Sequence, residues 1–492
     1  MTMSVRNPLS SSLRLSIRQA AAIQFVSKYS NGIVQLMVSM VLARMVTPAQ
    51  HGTMAIVSVF STFFLLLSDM GLSAGVVQHK ELDNDDLSGL FLFSGAVGLA
   101  LSVLFALSSV PVSIIYGDEL LRPLFAIASI GMFFATLNSV PNGMMLRDKR
   151  FASIGLRLVI VNIATGGIAI ALASLGAGSY ALVAQFVLTS SCVFMWNYIE
   201  CGLRVKYAPV VEPLRAVFEF SGFQLAHGFV NYFCRNLDNL LIGLAFGSAA
   251  LGYYSKAYSL STYPISMFTS VVASVLHPYL SDYRNEPSII YQRFMALTHA
   301  VFAVGILVSA CCVACSKEVV IVLFGGQWHE SAPLFCALSV SVMFQMVTSL
   351  TGSVFQSMGD TRDMFLSAVV NTVVTLVAIC VGMSTGNLFM VAVLVAVAYC
   401  LNPVATFYYL VARAFGRSLS VFVREFVPQL AVAVVMLAVG IGTRVTVALT
   451  LLQTAPVSSM VVKLFCCCMV YFVLLNVTNQ WRYVSVLLGR QE

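Results

Sequence analysis

The chain has few charged residues and no long hydrophilic stretch. Only 10% of its 492 residues are Asp, Glu, Lys or Arg, whereas soluble domains carry about 25%. No connection between its apolar segments has the length of a separate soluble catalytic domain. These scarcities argue against a soluble enzyme. They also argue against a nucleic-acid partner, although the net charge is +7.

Sequence signatures of catalysis and metal binding are also missing. There is no Gly-rich phosphate loop ending in Lys and Ser/Thr, no G-x-S-x-G elbow and no H-E-x-x-H pair. Cysteines cluster at 311–315 and 466–468, but without the paired spacing of zinc sites, and we interpret them as small apolar filler. We therefore expect no enzyme activity, no bound metal and no ATP hydrolysis, and no cofactor beyond a possible coupling ion, Na⁺ or H⁺.

What the chain does have is apolar sequence from end to end. Hydrophobic residues make up 59% of it, and its mean hydropathy is +0.90. A bilayer core about 30 Å thick needs about 20 apolar residues per helix, and backbone in lipid must satisfy its own hydrogen bonds. The sequence predicts an all-α polytopic membrane protein with about fourteen transmembrane helices. The predicted spans are 20–45, 52–70, 87–110, 123–145, 153–175, 179–199, 218–246, 250–276, 291–314, 331–356, 364–384, 387–411, 424–442 and 457–477.

Basic residues concentrate in every second connection. Examples are Arg147, Lys149 and Arg150 in one connection and Arg413 and Arg417 in another. Short cytosolic loops are enriched in Lys and Arg, so this alternation places both termini in the cytosol. The positive net charge is then a consequence of membrane topology.

A weak internal repeat divides the chain into two halves. A shift of 200 residues pairs Ala49 with Ala249 and Gly52 with Gly252. Spans 1 and 7 begin on the same side, and each is followed by five more helices, which is a known transporter design. We expect two pseudo-symmetric six-helix bundles and an extra helix pair. The predicted domains are 1–199 (N-terminal lobe), 200–217 (cytosolic linker), 218–411 (C-terminal lobe) and 412–492 (helix pair and tail).

Polar residues inside two of the spans share one helical face. Polar groups are costly in lipid and normally face a bundle interior or a water-filled cavity. Spans 1 and 7 occupy corresponding positions in the repeat, so their polar faces predict a shared hydrophilic cavity. The predicted cavity residues are Gln24, Lys28, Asn31 and Gln35 in span 1 and Gln224, Asn231 and Arg235 in span 7.

The charged members of these faces have alternative interpretations. Arg235 and Asp238 lie three residues apart and either neutralise each other or contribute to substrate and ion coupling. Lys28 either extends its ammonium to the membrane surface or contacts an anion in the cavity. His227 is either a hydrogen-bonded packing residue or, with Asp238, part of an ion-coupling site.

Tyrosines open the eighth span. Tyr254 and Tyr258 lie four residues apart near a predicted membrane boundary. Such tyrosines are commonly interfacial anchors. Alternatively, these two rings stack on a sugar and belong to the substrate-binding cavity.

Five segments have a pattern that is typical of one transporter family. They are LARMVTPAQHG (42–52), LSDMGLSAGVVQHKEL (67–82), RNLDNLLIGLAFGSAALGYYSKAYSL (235–260), VLHPYLSDYRNEP (275–287) and VIVLFGGQWHESAPLF (320–335). In these segments the chain resembles Wzx-type polysaccharide exporters of the multidrug/oligosaccharidyl-lipid/polysaccharide flippase superfamily, in pattern most similar to the colanic-acid and teichuronic-acid exporters. The resemblance covers about 20–480.

This resemblance implies a substrate and a mechanism. Members of the family flip undecaprenyl-pyrophosphate-linked oligosaccharide from the cytosolic to the periplasmic leaflet of the bacterial inner membrane, without ATP, for surface polysaccharide synthesis. The implied partners are the lipid-linked oligosaccharide, membrane lipids, a polysaccharide polymerase and glycosyltransferases. The alternative is a cation-coupled multidrug antiporter of the same fold, which would favour an acidic, aromatic cavity; Asp238 is the one central acid on the two polar faces.

Overall fold

The chain is helical throughout the part that the structure describes. The structure is a computed structural model, and it describes residues 17–69, 71–79, 81–206, 232, 236–268, 286–448, 456–478 and 480–481. None of these residues lies in a β-strand. An all-helical backbone is what a chain of this hydropathy requires in lipid, where each segment must satisfy its own peptide groups.

Within the residues that the structure describes, seventeen α-helical stretches are numbered in chain order. Those before the middle of the chain are α1 (Ile17–Met45), α2 (Pro48–Asp69), α3 (Leu72–Gln78), α4 (Asn84–Tyr116), α5 (Leu121–Leu137), α6 (Ser139–Arg147), α7 (Phe151–Ser174) and α8 (Ser179–Cys201). The next helical stretch is α9 (236–268). The remaining helices are α10 (Pro287–Ala314), α11 (Ser316–Phe324), α12 (Ser331–Ser339), α13 (Val342–Met358), α14 (Thr361–Ser384), α15 (Leu388–Phe407), α16 (Leu419–Ala448) and α17 (Pro456–Val477).

The helices have the length and composition of membrane spans. Within the described residues, ten helical stretches are long and apolar enough to cross a bilayer, and an eleventh is added if the bent pair α12–α13 is one span. The predicted polytopic helical class is therefore confirmed. The count of fourteen and the arrangement of the bundles stay predictions.

Contacts divide the chain into two compact units. Unit 1 comprises Met1–Ser39, Phe64–Leu107 and Ala126–Leu225. Unit 2 comprises Met40–Phe63, Ser108–Phe125 and Ala226–Glu492. Helices α1, α4 and α5 thus each contribute one end to unit 2 and the rest to unit 1, whereas α2 contributes most of its length to unit 2.

Close approaches in unit 1 depend on small residues. Gly143 of α6 lies against α3, where a Cβ atom at this position would come within 2.9 Å of the Ser73 carbonyl oxygen. Gly98 of α4 lies against Thr136 of α5 at 3.0 Å by the same measure. Small residues let helix backbones approach, and this gain in van der Waals packing is a main source of helix association in lipid.

In unit 2, two glycines at repeat-related positions lie against each other. A Cβ on Gly52 would lie 1.7 Å from the Ser248 carbonyl oxygen, and a Cβ on Gly252 would lie 2.0 Å from the Pro48 carbonyl oxygen. Gly52 thus faces the carbonyl of the residue four before Gly252, and Gly252 faces the carbonyl of the residue four before Gly52. A local two-fold axis produces such a reciprocal arrangement. Only glycine leaves room for backbones this close. We call residues 48–52 and 248–252 the glycine crossing.

The end of α1 is held by side chains of the segment after α11. The Trp328 indole nitrogen donates a hydrogen bond of 2.7 Å to the Ala43 carbonyl, and the Gln327 amide donates to the same oxygen. Arg44 in turn donates to the Val322 carbonyl at 2.6 Å. These bonds satisfy carbonyl groups that the end of a helix leaves without an intrahelical partner.

Three of the segments that carry the family resemblance therefore meet in unit 2. Tyr253 packs edge-on against Trp328 with ring centroids 6.1 Å apart, and its carbonyl accepts a hydrogen bond of 2.9 Å from Ser331. The Lys256 ammonium lies over the rings of Phe324 and Trp328, at 5.1 and 5.8 Å from their centroids. The segments 42–52, 235–260 and 320–335 are thus in contact with one another. This contact gives a structural reason why all three carry the pattern of the exporter family.

The predicted single span 331–356 is wrong in one respect, because it is bent. Helices α12 and α13 meet at an angle of 56°. At the bend the Ser309 hydroxyl of α10 donates to the carbonyl of Ser339 and lies 3.3 Å from that of Val340. A side chain inserted at these carbonyls replaces intrahelical bonds, which is a known cause of helix kinks.

The C-terminal helix α17 is fastened to α11 by a buried ion pair. The Lys463 ammonium lies 2.6 Å from Glu318 Oε1, and both side chains are less than a tenth exposed. The Ser459 hydroxyl donates to the same carboxylate oxygen at 2.9 Å. Helix α17 also packs on α10 and α16, so the last helix is an integral part of unit 2.

Candidate functional site

Helix α1 exposes two faces of opposite character. Lys28 and Gln35, seven residues apart, are exposed on one face. Val26, Ile33 and Met37 are exposed to 62%, 52% and 62% and lie about half a turn away from that face. A membrane helix with an apolar exposed face and a separate polar exposed face meets lipid on the first and needs water or polar groups at the second. Gln24 lies in α1, but its side chain is outside the described residues.

The third predicted polar residue of this stripe is used in packing. The Asn162 amide of α7 donates a hydrogen bond of 2.6 Å to the Asn31 amide oxygen. On either side, α7 presents Gly155 to Ser27 and Gly166 to Val38, at distances that leave no room for a Cβ atom. Asn31 therefore lies at the boundary between the α1–α7 contact and the exposed polar face.

Of the polar residues predicted on one face of span 7, only Asp238 lies among the residues that the structure describes. Gln224, His227, Asn231 and Arg235 lie outside the described residues. Asp238 is described, and it is 3% exposed in unit 2. Its Oδ1 accepts from the Asn239 backbone N–H at 2.7 Å, and its Oδ2 accepts from the Tyr254 hydroxyl at 3.0 Å. A buried carboxyl must have such partners, because an unpaired one would be prohibitively costly.

The two predicted tyrosines lie between this carboxyl and a cavity. Tyr254 is fully buried, and its ring stacks on that of Tyr258 with centroids 6.1 Å apart. The Tyr258 hydroxyl lies 3.5 Å from the Tyr399 hydroxyl of α15. Tyr258 and Tyr399 both line the cavity, whereas Tyr254 reaches Asp238. The tyrosine pair thus forms a column from the buried acid to the cavity wall.

The cavity is polar and lies entirely within unit 2. It has a volume of about 440 Å³ and lies between α9, α13, α14 and α15. The described residues that line it include no Asp, Glu, Lys, Arg or His. Pockets for small ligands generally have volumes of about 300–1,000 Å³, so the cavity has the size and polarity of a binding site for a neutral polar group. Its polar lining includes Tyr258, Thr262, Gln345, Thr348, Asn371 and Asn402.

Sequence reasoning missed the polar residues of α14 and α15. Asn371 and Thr375 lie four residues apart on α14, and Asn402 and Thr406 repeat the spacing on α15. The same rule that identified the polar face of span 1 applies to them, because residues at i and i+4 share a face. The spacing of four residues was visible in the sequence. Both pairs were overlooked because they lie in strongly apolar segments and carry no charge.

Unit 1 contains a buried guanidinium that the pattern of polar residues did not predict. The basic residue Arg157 lies two turns into α7 and is only 3% exposed. It donates to the Asn197 amide oxygen of α8, and Asn197 donates onward to Asn138 at 2.7 Å. The carboxylate of Glu200, on the same helix as Asn197, accepts instead from Ser153 and from the Trp196 indole nitrogen. A neutral amide therefore accepts from this buried charge, and the guanidinium Nε has no hydrogen-bond partner among the described residues.

Comparisons with known proteins agree on one group of membrane proteins. Residues 41–333 match the family described as polysaccharide biosynthesis protein. The chain is 25% identical over 329 residues to the teichuronic acid biosynthesis protein TuaB of Bacillus subtilis (strain 168), covering 66% of this chain and 68% of that protein. It is 22% identical over 395 residues to the lipopolysaccharide biosynthesis protein WzxC of Escherichia coli (strain K12), covering 79% and 78%.

The fold is also found in a solved structure. The lipid II flippase MurJ, in an inward closed conformation, superposes with a TM-score of 0.74 over 93% of this chain and 98% of that one. Sequence identity is 12%, so this likeness concerns the fold. The resemblance to polysaccharide exporters noted in the sequence is confirmed by the family match and by the two relatives.

Proposed function

Because the chain belongs to the polysaccharide biosynthesis protein family, we propose that it is a flippase for lipid-linked oligosaccharides. It translocates repeat units carried on undecaprenyl pyrophosphate from the cytosolic to the periplasmic leaflet of the bacterial inner membrane, for surface polysaccharide synthesis. The observation that carries the proposal is the family match over residues 41–333, on a polytopic fold shared with a lipid II flippase. The protein acts as a transporter and not as an enzyme.

The physical problem is to move a polar head group across a hydrocarbon layer about 30 Å thick. Sugar hydroxyls without partners would each cost several kcal/mol in that layer, and a bare pyrophosphate far more. The polar exposed face of α1 and the polar cavity of unit 2 provide the hydrogen-bonding surface that this passage requires. The prenyl tail stays in lipid throughout.

Two cations offset the charge of the pyrophosphate. The exposure of Lys28 on the polar face of α1 supports this role, and Arg235 is its predicted counterpart in the second half. Along the same faces, amide side chains hydrogen-bond to the sugars. These are Gln24, Asn31, Gln35, Gln224 and Asn231. Tyr258 contributes aromatic surface, and the predicted cavity residue Tyr254, which is fully buried, supports the Tyr258 ring from behind.

Alternating access is driven by a gradient, because the chain has no ATP-hydrolysing motif. Asp238 is the ion-coupling group, with His227 as its predicted neighbour on the same helix. The Tyr254–Tyr258 column supports this assignment, since it connects the Asp238 carboxyl to the cavity wall. Binding of H⁺ or Na⁺ at Asp238 then alters the hydrogen bond to Tyr254 and with it the wall that faces the substrate.

The proposed architecture has fourteen spans with both termini in the cytosol. It consists of two six-helix lobes, 1–199 and 218–411, a linker at 200–217 and a helix pair at 412–492. The distribution of basic residues supports this orientation. A polysaccharide polymerase and glycosyltransferases are the proposed partners, because they consume and supply the flipped repeat unit.

The test measures where lipid-linked repeat units accumulate. Deleting the gene should trap them in the inner leaflet and abolish surface polymer, and expression of the wild-type chain should restore both. Lys28→Ala and Arg235→Ala should each impair export while protein levels persist. Lys317→Ala is the matched control, because Lys317 is an exposed lysine outside both polar faces.

Two results would contradict the proposal. Unchanged polymer after deletion, together with altered drug or dye efflux, would favour the cation-coupled antiporter. Wild-type export by both Lys28→Ala and Arg235→Ala would leave flipping intact but remove these cations from the mechanism.

A further inference from the structure

The polar cavity of unit 2 contains a reciprocal group of four side chains, which we call the Asn–Thr quartet. The Asn371 amide of α14 donates to the Thr406 hydroxyl of α15 at 2.9 Å, and the Asn402 amide of α15 approaches the Thr375 hydroxyl of α14 at 3.5 Å. Each helix therefore supplies one donor and one acceptor to the other. All four residues line the cavity.

Backbone bonds determine which way the two amides face. The Thr375 hydroxyl donates to the Asn371 backbone carbonyl at 2.8 Å, and the Thr406 hydroxyl donates to the Asn402 carbonyl at 3.0 Å. Each hydroxyl has one proton, so towards the other helix it can only accept. The amide NH₂ groups must therefore face the threonines, and the amide oxygens are left over.

The two leftover oxygens are acceptors without a donor. The Oδ1 atoms of Asn371 and Asn402 are buried and have no hydrogen-bond partner in the part of the chain that the structure describes. Leaving a buried acceptor unpaired costs about 1–3 kcal/mol. These oxygens have almost no surface open to the empty cavity, so a ligand reaches them only when the two asparagine side chains shift towards it. A ligand that then supplies hydrogen-bond donors between α14 and α15 recovers this energy, whereas an anion meets two oxygens that repel it.

The rest of the cavity specifies the ligand further. The described lining residues carry no charge, and Gln345 and Gln356 add amides that both donate and accept. Tyr258 and Tyr399 add aromatic surface with hydroxyl groups. A volume of about 440 Å³ is far larger than a dehydrated ion needs. Mixed donors and acceptors, aromatic rings and absent charge together match a hydroxylated ring.

We propose that this cavity is a subsite for an uncharged glycosyl unit, whose hydroxyls donate to the amide oxygens of Asn371 and Asn402. The assignment rests on the proposed function, since the saccharide is part of the lipid-linked substrate. It separates two tasks within the protein, because the pyrophosphate must then be bound elsewhere, by cations. It also makes the Asn–Thr quartet a positioning element for neutral sugars.

The experiment titrates the purified full-length protein in lipid nanodiscs with soluble probes. The probes are neutral hexoses and disaccharides, glucuronic acid as the matched anionic sugar, inorganic pyrophosphate, and sodium chloride against choline chloride. Thermal protection and intrinsic fluorescence report binding. We expect saturable binding of at least one neutral saccharide that is about tenfold weaker in Asn371→Ala and in Asn402→Ala.

Two further variants keep the test decisive. Asn476→Ala removes an exposed asparagine of α17 and should bind like the wild type. Gln345→Met retains the shape of the side chain and removes an amide from the cavity wall, and it should weaken binding about threefold or more even if the asparagine variants do not fold.

Specific outcomes would overturn the inference. The inference is wrong if the folded wild type binds no neutral saccharide, or if Asn371→Ala and Asn402→Ala bind the saccharide as tightly as the wild type. It is also wrong if sodium alone protects the wild type and these two variants lose that protection, because this would identify a cation site. Wild-type export by Asn371→Ala cells would also overturn it while leaving the flippase proposal intact. Loss of the flippase proposal is detected separately, by normal polymer in the deletion strain.

Discussion

The glycine crossing makes a sharp prediction, because a single methyl group cannot be added to it. In Gly52→Ala the new Cβ would lie 1.7 Å from the Ser248 carbonyl oxygen and 2.5 Å from the carbonyl carbon. Real Cβ contacts shorter than 3.0 Å are essentially never seen. Both clashing atoms belong to the backbone, so no side-chain rotation relieves them, and the two segments must separate.

The expected loss of stability follows from this geometry. Overpacking a close-packed interior costs about 1–3 kcal/mol, and separation of the segments would also stretch the hydrogen bonds between Trp328 and the end of α1. We expect Gly52→Ala to unfold at lower denaturant concentration than the wild type. Gly167→Ala is the control, because a Cβ at that exposed position of α7 has no neighbour within 4 Å, and alanine there should stabilise the helix by up to about 1 kcal/mol.

The assay is reversible unfolding of the purified protein in mild detergent, followed by circular dichroism and Trp fluorescence. The double variant Gly52→Ala/Gly252→Ala adds a second test. Its loss should be smaller than the sum of the two single losses, because the first separation already makes room for the second methyl group. The reasoning is refuted if Gly52→Ala is as stable as Gly167→Ala, or if the two losses simply add.

Three other substitutions test the contacts of unit 2 by the same unfolding measurement. Lys463→Met should destabilise by about 3–5 kcal/mol because it leaves the Glu318 carboxylate buried and unpaired, and Glu318→Gln in the same chain should restore much of the loss; an unchanged midpoint would show that the pair is not buried. Ser309→Ala should lower the free energy of unfolding by about 1–2 kcal/mol, since it removes the donor from the carbonyls at the α12–α13 bend. Ser309→Val, which also lacks the hydroxyl, should be no more stable than Ser309→Ala. Arg413→Ala should destabilise by more than about 1 kcal/mol, because it leaves the Asp363 carboxylate, whose side chain is only 8% exposed, without its cation; a loss as small as that of a surface ion pair would contradict this.

The sequence predicted the polar exposed face of α1, but it did not predict which residues of that face pack against α7. The spacing of Lys28, Asn31 and Gln35 predicted a common polar face, and Lys28 and Gln35 are exposed. Asn31 is instead engaged by Asn162 of α7. Helical spacing states which residues are neighbours on one helix, but it does not state which part of that face a second helix covers.

Hydropathy and motifs by themselves determined the class of this protein. A segment of about 20 apolar residues must be a helix in lipid whatever lies beside it, because its backbone can bond only to itself. That condition is local, so it can be evaluated along the chain. The family resemblance is equally local, since it depends on the identity of residues within short segments such as 42–52 and 320–335.

Tertiary structure alone decided which of these local features meet. The glycine crossing, the Trp328 bond to the end of α1 and the Asn–Thr quartet each join residues that are far apart in the chain or on different helices. Uncharged polar residues such as Asn371 and Asn402 are ordinary in an apolar segment until a second helix presents matching groups. A hydrogen bond or a backbone contact between helices is a property of the pair, and neither helix contains the information alone.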